Sequence, residues 1–73
     1  MHKSEVARIR EEIELQLEAM QRGMYGFASG AARHSFIRAR MDRIDECHQE
    51  LTVHMDEQDA DQLVSSLYSE IVG

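Results

Sequence analysis

The stretch FASGAARHSFIRARMDRIDECHQELTVHM, residues 27–55, carries an apolar stripe that repeats every seven residues and decides the fold. Residues spaced three and four apart lie on one side of an α-helix, so this side must be buried against another helix. We predict that eight residues of the stripe line a core or a dimer interface. They are Phe27, His34, Ile37, Met41, Ile44, His48, Leu51 and Met55.

The composition of the whole chain favours helices. Its 73 residues include no proline, no asparagine and a single threonine, and no segment alternates apolar and polar residues as a strand does. We therefore predict an all-α fold in a single helical domain, residues 1–73. Its helices are expected over about 5–22, 29–55 and 57–72.

Glycines separate the first two predicted helices. Gly23, Gly26 and Gly30 fall within eight residues, and each costs about 1 kcal/mol relative to alanine inside a helix. We predict a turn here, with Gly23 just after the first helix, and hence an antiparallel helical hairpin. The alternative is one continuous helix over 5–55, because the seven-residue phase also includes apolar residues of the first helix.

The third predicted helix is short and follows Asp56, whose side chain can cap it. One face of this helix is apolar and is expected to pack against the hairpin. The face consists of Ala60, Leu63, Val64, Leu67, Tyr68 and Ile71.

The small size of the chain predicts self-association. A domain of 73 residues buries only about 60% of the surface that its unfolded chain exposes. The single cysteine, Cys47, cannot form an internal disulfide that would add stability. We expect a dimeric helical bundle in which a second copy buries Ile37, Met41, Ile44 and Leu51. A lone cysteine and the lack of an 18-residue uncharged stretch favour a cytoplasmic protein without a membrane span.

Charge divides the sequence into two parts. Residues 1–43 hold all 8 lysines and arginines beside 6 acids, whereas residues 44–73 hold 8 acids and no lysine or arginine. Complementary charges favour two copies of the second helix in antiparallel orientation, with Arg38 near Asp45 of the other copy. The surrounding acids disfavour binding to nucleic acid, so we expect a protein partner. The charged residues expected to face it are Arg33, Arg38, Arg40, Arg43 and Asp45.

Two histidines, His34 and His48, occupy core-type positions of the stripe. A polar residue in a helical seam commonly specifies register or partner, which needs no cofactor. The alternative is a metal site formed by His34, Asp45 and His48, because Asp45-x-x-His48 resembles the Glu-x-x-His spacing of iron-binding bundles.

No residue pattern predicts catalysis. Cys47 and His48 are neighbours in sequence, but adjacent helical residues point about 100° apart and do not form a working pair. We therefore expect a non-enzymatic interaction module that acts as adaptor, inhibitor or regulator. The alternative is a small metal- or ligand-binding helical bundle.

Residues 23–66 resemble a group of small uncharacterised bacterial all-helical proteins. The resemblance rests on the G-x-A-R-H-x-F-I run from Gly30 to Ile37 and on three later motifs. These are Arg40-Met41, His48-Gln-Glu50-Leu51 and Ala60-Asp-Gln-Leu63-Val64. The group tends to carry glycine where this chain has Asp56. The resemblance implies a junction between the second and third helices near that residue, and no activity.

Overall fold

The computed structural model describes residues 4–23 and 29–73, which form three α-helices. The helix α1 spans Glu5–Gly23, α2 spans Gly30–Leu51 and α3 spans Glu57–Ile71. The described ranges contain no strand, which confirms the all-α prediction for this part of the chain.

Serine side chains cap the first two helices. The hydroxyl of Ser4 accepts from the backbone N–H of Ala7, and that of Ser29 accepts from Ala32, each at 3.1 Å. Asp56 occupies the corresponding position before α3, but its side chain makes no capping hydrogen bond, so that expectation is wrong. The backbone carbonyl of Asp56 instead accepts from Ala60 at 2.9 Å.

The helix α2 ends four residues earlier than the predicted residue 55. The hydroxyl of Thr52 donates to the carbonyl of Gln49 at 2.6 Å, and the N–H groups of His54 and Met55 both donate to the carbonyl of Leu51. These bonds use the last carbonyls of α2 in a tight turn. Two β-branched residues in succession, Thr52 and Val53, also disfavour further helix.

The connection between α1 and α2 tests the two sequence interpretations in part. Gly23 is the last residue of α1 rather than a residue after it, whereas Gly26 and Phe27 lie outside the described residues. Glu12 and Arg43 meet at 3.1 Å, although a continuous helix would hold them about 46 Å apart. One helix over 5–55 is therefore excluded.

The core lies where the three helices meet. The helix α1 contacts both α2 and α3, and α2 also contacts α3. Burial of each large aliphatic side chain contributes about 1.5–3 kcal/mol, which makes this cluster the main source of stability. Its buried members are Ile9, Ile13, Leu17, Met20, Ile44, Cys47, Leu51, Ala60 and Leu67.

The buried face of α2 is turned relative to the predicted stripe. Ile44, Cys47 and Leu51 are buried by the chain's own helices, whereas His34 is exposed and Met41 is 39% exposed. The small apolar Cys47 fits the core better than the polar ring of His48 does. Because Ile44 and Leu51 are already covered, their expected burial by a second copy does not hold in this packing.

The other expected core positions are half-buried or exposed. Ile37 and Met55 are half-buried and pack against the core. Tyr68 is 42% exposed, so its predicted burial on α3 is wrong. The preceding residue, Leu67, points into the core, whereas the larger amphipathic ring of Tyr68 stays at the edge of the core.

Candidate functional site

A cluster of charges joins α1 to α2 around Arg43. Its guanidinium lies 3.1 Å from Glu12, 3.4 Å from Glu46 and 3.7 Å from Glu50. Gln16 donates to the same Glu12 carboxylate at 3.0 Å. The hydrogen bond from Arg43, with that from Gln16, lowers the pKa of Glu12, and the bond to Glu12 raises the pKa of Arg43. Arg43 was expected to face a partner, but it is engaged within its own chain.

Cys47 lies beneath this cluster and is 1% exposed. Burial raises the pKa of its thiol, and the nearby Arg43 opposes that rise only in part. A nucleophilic cysteine needs a lowered pKa and access to solvent. The thiol therefore has the environment of a core residue.

His48 connects α2 to α3. Its ring Nε2 hydrogen-bonds the carboxylate oxygen Oδ1 of Asp61, and both residues line a cleft with Ile44, Asp45 and Val64. Asp61 was not among the site residues predicted from the sequence. Its spacing could have indicated it, because Asp61 lies four residues after Glu57 and seven before Tyr68. This spacing places Asp61 on the flank of α3, beside the apolar face.

The three residues of the alternative metal site are not brought together. His34 and His48 are fourteen positions apart on α2, which corresponds to about 21 Å along the helix axis. Asp45 and His48 share the cleft with Asp61, but no group of three or more histidine, cysteine or acidic residues among the described residues could hold a metal ion.

Six of the seven arginines fall into two groups according to their ion pairs. Arg8, Arg10 and Arg43 each pair with a glutamate of this chain. Arg22, Arg33 and Arg38 are exposed, and the described residues contain no salt bridge to any of them. The last two lie in the first half of α2, whose first turn contains no acid.

The remaining arginine of α2, Arg40, is half-buried. Its guanidinium carbon is 5.0 Å from the ring centroid of Phe36, a cation–π distance. Its Nε is buried with no hydrogen-bond partner in the described part of the chain, and the same holds for Oε1 of Gln16. Arg40 lies one turn from Arg43, and Gln16 lies one turn from Glu12. The donor Nε of Arg40 and the acceptor Oε1 of Gln16 are therefore both unsatisfied at one level of the α1–α2 interface.

Large apolar residues are exposed on all three helices and in the turn after α2. Among the described residues, Leu15, Met41, Val53 and Tyr68 are between 39% and 79% exposed. Scattered exposed apolar residues are normal on a protein surface, so only those beside other partner-binding features are informative. Met41 is one of these, because Arg38 and Asp45 lie on the same side of α2.

The described helices include none that is long and apolar enough to cross a membrane. Comparison of the chain with protein-family models, with curated proteins and with solved structures finds no match.

Proposed function

We propose that this protein is a small helical homodimer that serves as a protein–protein interaction module, as an adaptor, inhibitor or regulator. Its role is non-enzymatic and belongs to a reducing compartment such as the cytoplasm, where a single free cysteine is expected. Within each copy, α1 and α2 form an antiparallel hairpin against which α3 packs.

Contacts at two levels of the interface support the hairpin. Glu12 pairs with Arg43 near the middle of the two helices. Nearer the start of α1, Glu5 and Arg8 share a cleft with Glu50, close to the end of α2. Residue numbers therefore fall along α1 as they rise along α2, which is the pattern of antiparallel neighbours.

The segregation of the arginines is the observation that carries the proposal. Arg22, Arg33 and Arg38 are exposed and have no salt bridge among residues 4–23 and 29–73, although the chain has an excess of acids and a net charge of −6. Guanidinium groups pair readily with carboxylates, and those of Arg8, Arg10 and Arg43 already do so. The unpaired arginines are therefore available to carboxylates of another protein molecule.

An acidic protein surface fits these arginines better than nucleic acid does. The sequence pI is about 5.0, and α3 carries four acids and no base. A long polyanion that approached the arginines would also meet this negative surface, whereas a short acidic helix would not. The metal-binding alternative draws no support from the separation of His34 and His48.

Sedimentation velocity tests the self-association directly. We expect the average mass to rise with protein concentration at low salt, and the rise to weaken at high salt, since exposed charges are screened. A monomer under all conditions would overturn the homodimer.

A second experiment tests the class of partner. Labelled poly-glutamate and labelled single-stranded DNA of equal charge serve as probes in fluorescence anisotropy. We expect poly-glutamate to bind more tightly, and the combined Arg22→Gln and Arg33→Gln variant to lose most of this binding. Arg8→Gln with Arg10→Gln is the matched control, because those arginines are already paired. Tighter binding of DNA would contradict the proposed partner.

A further inference from the structure

Three residues of α2 form an exposed strip that contains a positive, an apolar and a negative side chain in that order. Arg38, Met41 and Asp45 are spaced by three and four positions and therefore lie on one face of the helix. Arg38 and Asp45 are exposed, and Met41 is 39% exposed. We call these three residues the α2 strip.

The charges of the α2 strip are not paired within the described part of the chain. No salt bridge joins Arg38 or Asp45 to any described residue, whereas Arg43, on another face of the same helix, has three glutamates within 4.0 Å. The strip thus has free charges of both signs beside an apolar residue.

The order of these residues makes the strip complementary to itself. The midpoint between Arg38 and Asp45 falls between Met41 and Asp42. A two-fold axis through that point reverses the strip, so that each positive end meets a negative end. A parallel arrangement would instead place like charges side by side.

We propose that two copies dock α2 against α2 in antiparallel orientation, with Arg38 of each copy beside Asp45 of the other and the two Met41 side chains at the centre. This assignment rests on the proposed homodimer and names the surface that forms it. It differs from the seam predicted from the sequence, because Ile44 and Leu51 remain in the core of each copy.

Tyr68 extends the apolar centre of this interface. His48 contacts Asp61, while Val64 and Ser65 lie in the same cleft as Ile44, so residue numbers run in opposite directions along α2 and α3. Met41 is seven residues before His48, and Tyr68 is seven residues after Asp61. The two therefore lie at the same level, and Tyr68 is 42% exposed.

Charge reversal tests the pairing. Arg38→Glu alone, or Asp45→Arg alone, sets like charges against each other and should weaken dimerisation by about tenfold or more. The double variant Arg38→Glu with Asp45→Arg restores both pairs and should recover most of the affinity. Glu70→Arg, an exposed reversal on α3, is the matched control, and circular dichroism verifies that each variant is folded.

Disulfide trapping tests the orientation by an independent measurement. In a Cys47→Ala background, Met41→Cys should cross-link two copies rapidly. His34→Cys should not, because in the antiparallel arrangement the two positions 34 lie about 22 Å apart along the helices. Efficient cross-linking at position 34 would overturn the antiparallel arrangement.

The outcomes separate this assignment from the proposed function. Loss of dimer in the single reversals and recovery in the double variant support it. A dimer that is unaffected by either single reversal overturns this interface and leaves the homodimer standing. A wild-type monomer overturns both.

Discussion

The guanidinium of Arg43 lies 3.1 Å from the carboxylate of Glu12, and this contact joins residues that are 31 positions apart in the chain. Gln16 donates to the same carboxylate from the next turn of α1. The bond from Arg43 crosses from α2 to α1 and restricts how far one helix is displaced along the other, whereas the bond from Gln16 stays within α1 and orients the Glu12 carboxylate. The register of α1 against α2 is thus set by polar contacts as well as by the apolar core.

Removing the charge of Glu12 should destabilise the protein modestly and change its response to acid. Glu12→Gln is expected to cost about 0.5–1 kcal/mol, since the pair is only partly buried. The unfolded chain binds the proton more tightly, because the pKa of Glu12 is lowered from its ordinary value of 4.5 on folding. The contribution of Glu12 is therefore present above about that pH and is lost as pH falls through the folded pKa.

Urea unfolding at several pH values measures both effects. Below pH 4.5 the free energies of unfolding of wild type and Glu12→Gln should converge, and Glu5→Gln is the exposed control. A difference that grows as the pH falls would contradict the assigned role of Glu12.

Cys47 should react slowly with thiol reagents until the protein unfolds. The side chain is 1% exposed and its pKa is raised by burial, so little thiolate is accessible. Reaction with an aromatic disulfide in native buffer and in urea measures the ratio of rates. Cys47→Ser should also be less stable than Cys47→Ala, because it buries a hydroxyl in the core. Rapid labelling of the native protein would show that the thiol is accessible.

The two leucines of α1 provide a matched pair that tests the core. Leu17 is fully buried and Leu15 is 57% exposed, so Leu17→Ala should cost about 2–5 kcal/mol and Leu15→Ala about 0.5 kcal/mol or less. Chemical denaturation gives both values. Equal losses would mean that α1 packs with a different face.

The link between His48 and Asp61 should appear as a coupling energy. His48→Gln, Asp61→Asn and the double variant form a thermodynamic cycle, in which we expect an interaction of about 0.5–1 kcal/mol for this partly exposed pair. Asp59→Asn is the control on the same helix. Additive effects of the two changes would show that the contact does not hold α3 against α2.

Periodicity predicted the helices well where the apolar residues are unambiguous. On the first helix the predicted apolar face repeats at helical spacing, and every member is buried except Val6, which is half-buried. Its members are Val6, Ile9, Ile13, Leu17 and Met20. The buried face of α2 was harder to predict, because the sequence contains two overlapping stripes. Both stripes include Ile37, Ile44 and Leu51. One of them adds Met41 and His48, and the other adds Arg40 and Cys47. Hydrophobicity alone favours Met41 over Arg40, but packing against α1 and α3 turns Cys47 inward.

The contacts between helices could not be read from the spacing of one helix. Pairing of Arg43 with Glu12 depends on the displacement of α2 along α1, and pairing of His48 with Asp61 depends on the position of α3. Neither is a local property of the sequence. The division of charge along the chain is apparent from the sequence. The sequence does not indicate which arginines have no salt bridge to a described residue.

The measurement that tests the central proposal most directly is the mass of the wild-type protein by light scattering as it elutes from a sizing column at low salt. One chain has a mass of 8.4 kDa. We expect twice that mass for the wild type and for Arg38→Glu with Asp45→Arg, and a lower mass for either single reversal. A mass of one chain for the wild type at every concentration would contradict it.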